Sequence, residues 1–292
     1  MTRFLNLVLA GLSDGMVYAA VALALVLIWR ATRIVNFAQG GMLMFTTFIA
    51  FSVNEQTHSY WLSLGAALLA GLVLGAVLER LVVRPVENAP PLNAVIVTLG
   101  LLVLLQAVAG MVWGGTPRSY STAFSIVGYK AGSTRLQFGP ADLFVVLAVL
   151  AVMVLLVLLF RATSLGLRMR ASAFNPEVAR LLGVRVGRML TLGWALAALV
   201  GSLAGVLVAP STFVGPNTFD AVLVFGFTAA VVGGLDSAIG GVLGGVLLGI
   251  TLSLVSGYLG SDVVTLGALV VLLGVLMVRP QGIFTRTSGR RV

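Results

Sequence analysis

The side chains able to do chemistry in this chain are few, and they sit in oily surroundings. Asp14 lies between Leu12 and Met16. Gln106 falls in the middle of an apolar tract, and Asn36 and Gln39 stand three residues apart, on one face of a helix. Polar groups in such a setting are costly unless they pair with one another or meet water. A role lining a path through the bundle fits all four. The plainer alternatives are a helix cap at Asn36 and Gln39 and an interfacial position for Asp14. His58 is the only histidine, Lys130 the only lysine, and cysteine is absent. A single histidine does not build a metal site, and no Ser/His/Asp set or carboxylate pair occurs within one tract. Lys130 follows Gly128-Tyr129 and is not part of a Gly-Lys-Ser/Thr phosphate loop. The expectation is a chain with no catalytic centre, no metal and no cofactor of its own.

A second chemical feature is the arginine-rich stretch 161–188. Within it, Asn175 suits a helix N-cap, Pro176 the first helical position and Glu177 the first turn, while Gly183 is a natural stop. These signals predict a helix of about two turns, Pro176 to Leu182, with Val178, Leu181 and Leu182 on one face. Such a helix either docks into a partner's groove or rests on a membrane surface.

The elements that must position these residues follow from composition. The chain has 292 residues, 59% hydrophobic and 9% charged. A soluble domain is nearer half apolar and a quarter charged, so the excess must face lipid. Phe144 to Phe160 carries no polar side chain and is long enough to cross a core of roughly 30 Å. The fold expected is all-α, a single polytopic transmembrane domain over residues 1–292. Apolar length places spans at 7–29, 36–53, 61–81, 92–112, 141–160, 189–209, 219–235, 238–257 and 262–278. The pair 219–235 and 238–257, divided only by Gly-Leu-Asp-Ser, reads equally as re-entrant or as one broken helix, which leaves eight or nine crossings open.

Net charge is +9, but the arginines sit between apolar tracts and not on one soluble face, which argues against nucleic acid as a partner. They mark cytoplasmic loops instead: Arg30 with Arg33, Arg80 with Arg84, the loop 161–188, and the basic tail 279–292 with Arg279, Arg286, Arg290 and Arg291. The stretches 54–60, 210–218 and 258–261 have no Lys or Arg and suit the outside. The loop 113–140, with Arg118, Lys130 and Arg135, runs against the rule. Glycines four apart, Gly71/Gly75, Gly201/Gly205, Gly240/Gly244 and Gly241/Gly245/Gly249, allow helices to approach closely in lipid.

Four stretches in order carry a resemblance. They are Ile34-Val-Asn-Phe-Ala-Gln-Gly-Gly-Met-Leu43, Ala173-Phe-Asn-Pro-Glu-Val-Ala-Arg-Leu-Leu-Gly-Val184, Phe227-Thr-Ala-Ala-Val-Val-Gly-Gly-Leu-Asp-Ser-Ala-Ile-Gly-Gly-Val-Leu-Gly-Gly245 and Val278-Arg-Pro-Gln-Gly-Ile-Phe284. Together they resemble the branched-chain amino acid ABC importer permeases of the LivH type, a family that also includes urea and short-chain amide importers. The chain departs at Gln39, where many relatives are expected to carry histidine. The resemblance implies a multi-pass subunit of the bacterial inner membrane that pairs with a second permease of LivM type. It implies two ATPase subunits that bind the ATP, and an extracytoplasmic substrate-binding protein. It also implies that Asn175, Pro176, Glu177, Ala179, Arg180, Leu181, Leu182 and Gly183 form the ATPase-coupling segment. The rival of a different class is an ion-gradient-driven transporter, for which Asp14 alone would be a thin relay.

Overall fold

The computed structural model describes residues 2–86, 89–131 and 134–284. Its helices in chain order are α1 (Thr2–Thr32), α2 (Ala38–Thr57), α3 (Tyr60–Leu78), α4 (Pro91–Trp113), α5 (Pro140–Ala162), α6 (Ser164–Phe174), α7 (Pro176–Leu181), α8 (Val186–Val208), α9 (Asp220–Gly233), α10 (Ala238–Leu259) and α11 (Val264–Val278). A π turn (Glu79–Val83) and a 3-10 turn (Arg84–Val86) extend α3. Among the described residues, seven segments are long and apolar enough to cross a membrane: α1, α3 with its extension, α4, α5, α8, α10, and α11 with the preceding 3-10 turn. The 20-residue α2 carries polar residues near its ends. The crossing count turns on α9, whose 14 residues reach only about 21 Å at ~1.5 Å per residue. The span expected at 219–235 is thus a shorter helix. It is distinct from α10, because Gly234, at φ +97°, turns the chain back.

Glycine decides how the centre packs. Most of α1 is buried, and α10 runs antiparallel along it: a Cβ on Gly11 would lie 2.7 Å from Ile250 Cα, and one on Gly245 2.5 Å from Ala19 Cα. Only hydrogen fits at such a crossing. Gly201 faces Gln39, Gly205 faces Thr47 and Leu43, Gly240 and Gly244 face Gly233, and Gly241 sits 3.4 Å from Val26 by the same construction. Gly75 lets α3 lie on α8 beside Trp194 and Ala198. By contrast, α5 and α11 leave most of their length exposed, as lipid-facing helices do.

The helices alternate in direction, and their ends sort by charge. Arg30, Arg33, Arg84, Arg161, α6, α7 and Arg279 share one end, where Arg33 ion-pairs with Asp236 and Ile283 N donates to the Val232 carbonyl. The charge rule makes this the cytoplasmic end. Loop 113–140 lies at the other end despite its cations. Arg118 there donates to the Trp113 carbonyl at 2.6 Å and sits over the Phe51 ring, so its charge is held by the protein. Of the basic tail, Arg286, Arg290 and Arg291 lie outside the described residues.

Candidate functional site

The four polar residues singled out from sequence fall into three environments. Asn36 stands in the turn before α2 and does not cap it with its side chain. It donates to Gln39 Oε1 at 3.4 Å, and Gln39 Nε2 donates to the Ala197 carbonyl of α8 at 3.1 Å. Both are fully buried, and the glycine at 201 makes the room that the Gln39 amide occupies. Asp14 opens on a small outer-end cavity of about 230 Å³ with Tyr60, Asp142 and Ser211, apart from the others.

Gln106 is brought to a residue that the sequence reading left inside a span. Its Nε2 donates to Asp220 Oδ1 at 2.8 Å. Asp220 opens α9 and is exposed, as are Ala221 and Val224 below it. Counting along the helices, Asp220 lies about 20 Å from the cytoplasmic end of α9, and Gln106 about 10 Å short of the outer end of α4. Both are therefore within membrane depth. A carboxylate exposed there does not face lipid; it requires water or protein beyond it.

A second group missed from sequence is Glu79, almost wholly buried in the π turn. Arg84 grips it with two bonds, Nε to Oε1 at 3.0 Å and NH2 to Oε2 at 2.9 Å. The same NH2 donates to the Gly187 carbonyl at 2.8 Å, and Thr191 Oγ1 donates to Glu79 Oε2 at 2.7 Å. Arg84, expected only as an orientation charge, thus clamps the cytoplasmic end of α3 to the first turns of α8.

That end of α8 is reached through the stretch 161–185. Thr163 Oγ1 accepts from Gly166 N at 3.1 Å and starts α6, a helix not foreseen within loop 161–188. Asn175 Oδ1 accepts from Val178 N at 3.0 Å and starts α7. Pro176 and Glu177 fill its first turn, Arg180 its last, and Leu182 and Gly183, at φ +81°, close it. The side chains divide by face. Ala179 is buried against Val186 and Leu190 and anchors the helix to its own chain. Phe174, Leu181 and Leu182 are 93%, 87% and 77% exposed, a concentration of bare apolar surface at one arginine-rich tip.

A family model described as branched-chain amino acid transport system / permease component matches residues 7–279. The high-affinity branched-chain amino acid transport system permease protein LivH of Escherichia coli is 28% identical over 305 residues, 99% of this chain and 98% of its own length. A probable branched-chain amino acid transport permease protein LivH of Methanocaldococcus jannaschii is 28% identical over 284 residues, covering 90% of this chain and 86% of that one. The xylose/arabinose import permease protein XylH of Sulfolobus acidocaldarius is 31% identical over 205 residues, 70% of this chain and 50% of that one.

Proposed function

The chain belongs to the family of branched-chain amino acid transport permeases, and on that premise we propose that it is the membrane-embedded half of an ATP-driven importer in the cytoplasmic membrane, moving branched-chain amino acids. A second permease of LivM type completes the path, two ATPase subunits bind ATP from below, and an extracytoplasmic binding protein delivers the substrate.

The observation that carries this reading is the capped helix α7. Exposed apolar side chains on a rigid cytoplasmic tip are what a groove on a partner recognises. Here Phe174, Val178, Leu181 and Leu182 are exposed while Asn175 and Ala179 fix the helix in place. Motion of the ATPases passes through α6 and α7 into α8, and the Glu79–Arg84 clamp carries it on to α3. The path runs along the face of α4 and α9. A branched-chain amino acid is a zwitterion with an oily tail. An apolar wall with one carboxylate, held by Gln106, meets the ammonium group of such a substrate without trapping the tail.

The test replaces Glu177 and Leu181 together by Lys and Asp in the complete transporter. The expected result is ATP hydrolysis uncoupled from uptake, with the permease inserted normally and its ATPases lost on purification. Wild-type uptake by that variant overturns the docking role.

A further inference from the structure

Beneath the arginines of the cytoplasmic end lies a groove whose interior has no part in the proposed transport, although α6 and Phe174 border its first lobe. It has two adjoining lobes, of about 450 and 330 Å³, which share Leu27, Arg30, Phe160, Arg170 and Asp236. Its lower wall is apolar: Leu23 and Leu27 of α1, Met153, Leu156 and Val157 of α5, and Ile239 of α10. From Met153 to Phe160 the wall is about 10 Å deep at ~1.5 Å per residue. The rim is cationic. Arg30 ends α1, Arg161 ends α5 and Arg170 projects from α6.

These cations are not consumed by the fold. Among the described residues, Arg30 and Arg161 have no hydrogen-bond or ion-pair partner, and Arg170 has one long bond, Nε to the Gly166 carbonyl at 3.4 Å. Asp236 is the one carboxylate among the described lining residues, and Arg33 occupies it. The charge rule asks for arginines at this end, but not that three converge on a hole walled by leucine, valine and phenylalanine. The groove also lies away from the α4–α9 face. Helix α1 turns Tyr18 and Val21 to α9, against Phe225 and Gly226, and Leu23 and Leu27 to the groove. One wall, α5, is otherwise largely exposed, which puts the groove at the lipid-facing edge of the bundle. Basic pockets between helices on the cytoplasmic side are where anionic headgroups bind.

We infer that this groove is a site for one anionic phospholipid of the cytoplasmic leaflet. Its phosphate sits among Arg30, Arg161 and Arg170, and an acyl chain lies against Leu23, Leu27 and Val157.

The experiment takes the complete transporter in zwitterionic nanodiscs, titrates in phosphatidylglycerol, and counts retained lipid by native mass spectrometry. Wild type should retain phosphatidylglycerol at least tenfold better than phosphatidylcholine. The triple variant R30Q/R161Q/R170Q should lose that preference. Val157→Trp, which fills the groove without touching charge, should lower retention severalfold and keep the protein readable if the triple variant fails to fold. Millimolar glycerol phosphate should not displace the lipid. Equal retention by wild type and both variants overturns the site. Displacement by glycerol phosphate shows a free-anion site and overturns the lipid. Loss of the lipid when ATPase subunits are added to the isolated permease pair shows that these arginines serve the protein interface, and overturns it too.

Discussion

The interface of α2 and α3 with α8 and the face shared by α4 and α9 both hold polar groups inside an oily helix bundle, yet they do so in opposite ways. On the α8 side Gln39 and Glu79 are enclosed and paired. Gln39 reaches the Ala197 carbonyl through space made by a missing side chain at 201, and Glu79 is enclosed by Arg84 and Thr191. On the α4–α9 face the single pair Gln106–Asp220 is left open. A sealed polar group is paired because hydrocarbon offers it nothing else. An open one at membrane depth is tolerated only where something aqueous or proteinaceous faces it. The first kind holds helices in register; the second needs water or protein beyond this chain.

Mutations sharpen this contrast, beginning with the sealed side. Glu79→Gln removes the anion from beneath Arg84. Breaking a buried pair costs about 3–5 kcal/mol, reduced to about 2–3 kcal/mol here because one side of Arg84 is open to solvent. The thermal midpoint of the purified permease should fall sharply and uptake should fall with it. An unchanged midpoint would show that the clamp holds nothing. Asp220→Asn should do the reverse. Losing a charge-assisted contact worth about 1.5–3 kcal/mol corresponds to roughly a 10- to 100-fold drop in uptake efficiency, with the midpoint unmoved. If stability falls and transport per folded molecule does not, the pair is structural and the contrast collapses.

Gln39→Leu should cost about 1–3 kcal/mol by stripping partners from Asn36 and the Ala197 carbonyl, read again as a lower midpoint with substrate selectivity unaltered. A changed selectivity would move Gln39 from the packing to the path. The smallest effect is Asn175→Ala, where loss of the cap costs about 1 kcal/mol. ATPase binding to the permease should weaken about fivefold, measured as a shift in the assembly midpoint.

The sequence made some of this legible and hid the rest for identifiable reasons. Asn175, Pro176 and Gly183 are local signals, and α7 lies within a residue of where they put it. Glycines four apart are local too, and they stand at helix crossings. The helix α6 escaped because Ser164–Phe174 has arginines in its middle and no apolar period; the cap at Thr163 was its one readable sign. Asp220 escaped because its partner is 114 positions away in sequence. Glu79 drew no notice beside Arg80, because nothing in its neighbours betrays that it lies buried in a π turn. Spacing reveals what a segment does to itself, while contacts between distant segments appear only when the chain is folded.

The seam between α1 and α10 has a consequence for how the protein can change shape. Along Gly11, Gly15, Gly245 and Gly249 the two backbones meet with little more than the Cβ atoms of Ala19 and Ser253 between them. Helices slide past one another by letting interdigitated side chains swap rotamers, and a joint of nearly bare backbone has almost none to swap. A shape change of this bundle therefore keeps the α1–α10 pair together and moves other helices against it.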